Sequence, residues 1–165
     1  MTDLIFHLLE VSFWSGIAAV GFGILFNVPR KTIFTIFALG FLAGLIKFSI
    51  LQFEHHIALA SLAAASFVGW VSIPIAHKIH HPPVVFSIPT MIPMIPGYFA
   101  YETILSIMNF VFIETDPEKR LLLIDAMFSH GFKMIYVLIG LTFGVALPLL
   151  VMNKGSIKQL GGAPS

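Results

Sequence analysis

Twenty consecutive residues, Ile57 to Ala76, carry no charge, and four other stretches of this 165-residue chain are nearly as apolar. A run of ~20 apolar residues is what a helix needs to cross the hydrocarbon of a bilayer, whereas a soluble helix keeps one polar face. Charged residues make up only 10% of the chain and the mean hydropathy is +0.96, against about 25% charge in soluble domains. Bilayer is the solvent this sequence suits. At ~20 residues per span, five spans with short connections use the whole chain and leave no soluble domain over.

The same composition removes several function classes. A formal charge of +1 with no basic block leaves no footprint for nucleic acid. With no cysteine, disulfide frameworks, thiolate metal sites and cysteine nucleophiles are excluded. No nucleotide-binding glycine loop, GxSxG elbow or HExxH occurs, so neither catalysis nor a cofactor is expected. His77, His80 and His81 have helical spacing, but before Pro82-Pro83 they read as a solvated basic helix end, as do His55-His56, and no metal site is expected. No Lys or Arg precedes Arg30, so the first apolar stretch lacks the basic region of a signal peptide and is expected to stay attached.

Punctuation divides the chain. The first span runs from about 4 to 26 and stops at Asn27-Val28-Pro29-Arg30-Lys31; the second, about 32 to 53, carries one charge, Lys47; the third covers 57 to 76. The last occupies 134 to 152, preceded by an amphipathic stretch, Leu121 to Lys133, whose Asp125, Ser129 and Lys133 share a face. That stretch either lies along the interface or extends the last helix, giving 121 to 152. Residues 154–165 form a short tail.

The fourth segment, 84 to 113, is different. Five of the ten prolines fall between Pro82 and Pro96, and Pro89, Pro93 and Pro96-Gly97 cannot all lie in a regular helix, because each proline removes an amide donor and clashes with the carbonyl four residues back. The expected fold is thus an all-α integral membrane protein of about five transmembrane helices, the fourth broken at a Pro-Gly motif. In lipid, a backbone break is tolerated only where protein or a watery cavity surrounds it. Transporters place half-helix ends at such breaks to hold ions and small solutes at mid-membrane. Pro93, Pro96 and Gly97 therefore form a candidate substrate site, with Tyr98 and Tyr101 as hydroxyl donors and the helix starting after Gly97 offering its positive end to a carboxylate. The alternative is a re-entrant loop that only seals the interior.

Three further residue sets bear on mechanism. Glu102 lies eleven positions before Ile113. At ~1.5 Å per residue that is roughly 16 Å from a boundary at Ile113, near the bilayer centre. It is a proton carrier or substrate contact, or else a structural carboxylate paired with Lys47 or an amide. Lys47 and Glu10 stand at similar depth on adjacent antiparallel spans and are placed for an ion pair; otherwise Lys47 snorkels to the outer interface and Glu10 is wet. Asp125 is a further proton-coupling candidate. Gly40-xxx-Gly44 and Gly140-xxx-Gly144 are read as close-packing faces.

Counting cations in the connections puts Arg30, Lys31, Lys78, Lys154 and Lys158 on one side and only Lys119 and Arg120 on the other. This predicts the N-terminus outside and the C-terminus in the cytoplasm.

Gly21-Phe22-Gly23-Ile24-Leu25-Phe26-Asn27-Val28-Pro29, His81-Pro82 followed by a Val-Phe pair, and Met91-Ile92-Pro93-Met94-Ile95-Pro96-Gly97 with Tyr101 soon after resemble the small membrane half of the threonine/serine exporter (ThrE) family, over roughly residues 12 to 150. The resemblance implies export of small amino acids such as threonine and serine, or of a dicarboxylate such as succinate, driven by the proton motive force across a bacterial inner membrane. It implies a larger ThrE-type partner subunit with about five spans of its own, fused ahead of such a half or made separately, with homo- or hetero-oligomers open. An odd span count in that half places the N-terminus of this one outside, as the charge count does. Asn27 and Pro29 match the first motif, which adds Asn27 to the substrate-site candidates, and Pro93, Pro96, Gly97 and Tyr101 match the second. Lys47 stands where similar proteins carry a basic residue, whereas Glu102, Pro83 and Pro89 lie outside the pattern, and the two prolines are expected to widen the break. The competing readings are a non-transporting structural subunit that stabilises a larger transporter half, and a channel or lipid-handling protein.

Overall fold

A computed structural model describes residues 2–53 and 56–152, and every regular element among them is helical. Glu54, His55 and the tail at 154–165 lie outside the described residues. The helices are α1 (Thr2–Leu25), α2 (Ile33–Phe53), α3 (Ile57–Ile79), α4 (Val84–Met91), α5 (Gly97–Met108) and α6 (Pro117–Met152). Short 3-10 turns at Arg30–Thr32 and Ile92–Met94 lead into α2 and end α4, and a π turn at Asn109–Ile113 ends α5. Helices suit the solvent, since each satisfies its own amides where no water is at hand. Four are long and apolar enough to cross a membrane; α4 and α5, bent by 49° at the break between them, pass the same test only when taken together, as a broken span or a re-entrant loop.

Among the described residues two that are not glycine adopt positive φ, and each ends a helix. Asn27 (φ 53°) closes α1: its N–H donates to the Ile24 carbonyl at 2.9 Å and the Val28 N–H to the Gly23 carbonyl at 3.1 Å, with Pro29 following. His80 (φ 58°) closes α3 in the same way, the His81 N–H reaching the Ala76 carbonyl at 3.1 Å before Pro82-Pro83. Both are left-handed caps that satisfy carbonyls a helix would otherwise leave unpaired.

The helices pack through small residues, which stands in for a hydrophobic driving force where lipid is as apolar as leucine. α1 and α2 are antiparallel. Gly40 rests on Gly16 and Ala19, and Gly44 on Ser12 and Ser15. α3 and α6 are parallel, with Gly140 against Ala58 and Leu62, Gly144 against Leu62, Ala65 and Ser66, and Gly69 against Val145 and Pro148. Both glycine pairs read from the sequence therefore sit at helix crossings. α4 leans on α1, α2 and α3, and Phe86, Ile36, Leu39, Ala19 and Ala76 form one buried cluster. A second gathers Ala43, Ala64, Ala65, Val68, Met94, Val137 and Leu141.

α6 settles the choice left open for Leu121–Lys133, which continues the last span as one 36-residue helix. At 1.5 Å per residue it is ~54 Å long, well beyond a ~30 Å hydrocarbon core. Its first half pairs with α5 as an antiparallel hairpin: the His130 ring lies 6.0 Å from Tyr98 and 5.8 Å from Phe99. Near the tip, Arg120 donates to the carbonyls of Phe110 and Glu114 at 3.2 and 3.0 Å and covers the Phe110 ring at 4.0 Å. His56 and Ile57, at the start of α3, share a hollow with Lys133 and Tyr136 of α6, and Ile57 packs against the cluster that holds Val137. The hairpin is thus an arm, running ~24 Å along α6 past the start of α3.

Pro83 and Pro89 do not widen the break. Pro83 precedes the first turn of α4, where an amide has no intrahelical partner to lose, and Pro89 is accommodated inside that helix. The break is made by Pro96, which forces Ile95 out of the helical region (φ −59°, ψ 131°). Pro96 itself (φ −79°, ψ 66°) centres an inverse γ-turn closed by the Gly97 N–H on the Ile95 carbonyl at 2.8 Å.

Candidate functional site at the proline break

The turn at Pro96 leaves the Met94 carbonyl without its helical donor, and Lys47 of α2 takes it. Lys47 Nζ donates to Met94 O at 3.1 Å, and the residue is only 7% exposed. This joins the two features that stood apart in the sequence, a cation in an apolar span and a backbone break 47 residues on. Both are costly in lipid alone; together, a freed acceptor meets an ammonium donor.

Around this bond is a cleft of about 260 Å³ lined by Trp14, Ser15, Lys47, Phe48, Pro93 and Met94, with Val11, Ala18 and Gly44 completing the wall. It exists because Gly44 and the small residues of α1 allow the backbones close together, leaving Lys47 between α1, α2 and the turn. Lys47 is six residues from Phe53, the end of α2, and fourteen from its start. That places the break ~9 Å from one end of α2 and ~21 Å from the other. The site therefore lies toward the arm end of the bundle and not at its middle, because α4 with its 3-10 turn covers only eleven residues before breaking.

Other sequence candidates fall elsewhere. Glu10 is exposed on α1 and makes no ion pair with Lys47; the ion pair found among the described residues joins Lys119 to Glu114 at 3.9 Å. Lys47 does not snorkel either, being buried with its head on a carbonyl. Tyr98 and Tyr101 are 65% and 61% exposed on the arm and do not line the cleft. Glu102 is half-buried on the arm with no ion-pair partner among the described residues. It stands past the level where α3 begins, so counting its depth back from Ile113 placed it too far into the bundle. Asp125 is exposed on the same arm. Asn27 caps α1 ~18 Å along the helix from Ser15, and its backbone conformation accounts for the motif there.

The start of α5 is less open than the sequence implies. Its amides are taken at Gly97 by Ile95 O and at Phe99 and Ala100 by Pro96 O, which leaves Tyr98 alone to offer a donor to a ligand. The positive pole beside the break is the Lys47 ammonium. Sequence reading missed Trp14 and Ser15; the signal available was the small-residue ridge Ser12, Gly16, Ala19 facing Gly40 and Gly44, which marks where α1 approaches α2.

A relative from Haemophilus influenzae, an uncharacterized protein, is 29% identical over 157 residues, which cover 93% of this chain and 50% of that protein. The chain spans about half the length of the curated relative it matches. No solved structure matches. Residues 11–151 match the family described as Threonine/Serine exporter, ThrE, and the chain, a multi-pass helical membrane protein with one sharply bent helix pair, belongs to that family.

Proposed function

We propose that this chain is the small half of a secondary exporter for small hydrophilic metabolites, of the threonine and serine type or a small dicarboxylate such as succinate, coupled to protons and working with a larger half of the same family. The supporting observation is the Lys47–Met94 bond at a proline break inside a bundle of apolar spans. Polar backbone and a buried cation at one point are the materials from which broken-helix transporters build solute sites. The relative of twice the length leaves room for a second half of similar size. The two halves enclose a wet hollow against the break, and rocking of one against the other exposes it to either side.

Reconstitution of both halves in liposomes, followed by counterflow of a panel of amino acids and dicarboxylates, tests this reading. Uptake that requires both chains supports it, and a larger half that transports alone at the full rate overturns it. That second result would favour a purely stabilising subunit, a role to which the exposed apolar side chains of the arm, Ile104, Val111, Phe112, Leu121 and Leu122 among them, are suited.

The cation count supports one orientation. The Arg30–Lys31 turn and the Lys78 end of α3 share one end of the bundle, and we place it in the cytoplasm of the cell membrane, with the N-terminus and the arm outside. A reporter fused to the C-terminus is expected inside. Glu102→Gln is expected to lower proton-driven export while leaving membrane insertion intact. Flux against a pH gradient measures it, and a wild-type rate removes Glu102 from the coupling mechanism.

A further inference from the structure

Lys47 brings three N–H donors to the cleft and Met94 O engages one of them. No carboxylate lies within ion-pair distance of Lys47 among the described residues. The cleft is lined besides by Trp14, Phe48, Pro93 and Ser15, whose Oγ lies beside Gly44 of the same wall. The ammonium of a buried lysine, with one neutral acceptor and mostly apolar walls, is a receptor for an anion, because charge-assisted hydrogen bonds are about twice as strong as neutral ones and are strongest out of water. The space narrows the choice. At about 260 Å³ the cleft lies below the ~300–1,000 Å³ usual for drug-sized ligands and suits a small solute.

We propose that Lys47 is the carboxylate anchor of the transport site: its two remaining N–H groups take the carboxylate of a small solute in the cleft between α1, α2 and the break, with the Ser15 hydroxyl as the second polar contact. This rests on the export reading above and assigns the charged end of the solute to a side chain, where the sequence had assigned it to the start of α5. Because the same ammonium holds Met94 O, a bound carboxylate and the geometry of the break share one group.

Trp14 lines the cleft and Trp70 is the only other tryptophan, exposed on α3, so Trp70→Phe turns Trp14 emission into a reporter. The purified full chain in nanodiscs is titrated with threonine and succinate, and with threoninol and succinamide, which keep the shape and lack the carboxylate. Saturable responses are expected for the two carboxylates and not for the other two. Lys47→Gln is expected to weaken carboxylate binding about tenfold or more, and Lys47→Arg, which keeps the charge, to restore most of it. Equal binding in Lys47→Gln, equal binding of threoninol and threonine, or no saturable response to either carboxylate overturns the anchor; recovery in Lys47→Arg shows that Lys47→Gln lost charge and not fold. In two-half liposomes, carboxylate flux unchanged by Lys47→Gln also overturns the anchor while the export reading stands. Absence of flux for every solute removes the export reading, and the Trp14 titration then still decides the anchor.

Discussion

Replacing Pro93 and Pro96 together by alanine is expected to stop export while leaving the chain in the membrane. Proline costs a helix interior about 3 kcal/mol relative to alanine, through the lost amide and the clash with the preceding turn. Pro96 spends that preference on keeping Ile95 extended (ψ 131°), and the γ-turn that follows bends the span by 49°. With alanine at both positions, Ile95 and the residue at 96 are free to return to helical angles, and the Met94 carbonyl regains the Tyr98 N–H as its donor. Lys47 then loses its acceptor. A buried ammonium with no partner is strongly unfavourable, so the side chain withdraws and the cleft it lines changes shape. Flux in the two-half assembly should fall at least about tenfold, the effect of ~1.4 kcal/mol on a transport barrier. Spin labels on α4 and α5, introduced freely because the chain has no native cysteine, should show the bend opening toward a straight rod. Normal flux through a straightened span would separate the break from transport altogether.

Gly144→Ala is expected to cost more stability than any other single added methyl group at a glycine of the bundle. A Cβ on residue 144 would stand 2.5 Å from the Ala65 Cβ, 2.9 Å from the Leu62 carbonyl oxygen and 3.0 Å from the Ser66 amide nitrogen. None of these is the end of a flexible side chain, so nothing can swing aside and α3 must part from α6. Overpacking of this kind typically costs about 1–3 kcal/mol, and separating the two helices also uncovers Ala64, Ala65 and Val137 in the buried cluster they share. Thermal unfolding in detergent should show a melting point lower by about 2–4 °C for each kcal/mol. Gly21→Ala, with nothing within 4 Å of the added group, is the control and should melt with the parent protein. Coincident melting of Gly144→Ala and Gly21→Ala would mean that α3 and α6 do not approach as closely as their parallel packing requires.

Much of the fold could be read before any coordinates because lipid leaves few options. Once apolar length demanded helices, Asn27-Val28-Pro29 and the residues before Pro82-Pro83 had to end them, and they do so one to three residues from the expected boundaries. Pro93 and Pro96 had to break the fourth span. Hydropathy could not tell how far α6 continues, since Leu121–Lys133 is helical by pattern whether it lies flat or extends a span. That uncertainty carried over to Glu102, whose depth was counted from an end that turned out to be the tip of an arm. The site was legible in parts and not as a whole. Lys47 and the proline motif each stood out as costly in hydrocarbon, but that they resolve each other's cost is a tertiary fact. Spacing suggested Glu10 for Lys47 because helical depth is countable, while a carbonyl released by a turn 47 residues away is not. Asn27, conspicuous within a motif, is accounted for by backbone angle alone.

The claim on which the rest depends is that the break and Lys47 face water enclosed by protein and not acyl chains. It is tested most directly by placing a lone cysteine at Ser15 in the cleft, and another at Leu59 on an outward face of α3, and measuring modification by a charged, membrane-impermeant thiol reagent in the reconstituted two-half assembly. A wet hollow predicts that Ser15→Cys reacts readily, that saturating threonine or succinate slows it, and that Leu59→Cys stays unreactive. A Ser15→Cys no more reactive than Leu59→Cys, with or without solute, would contradict it.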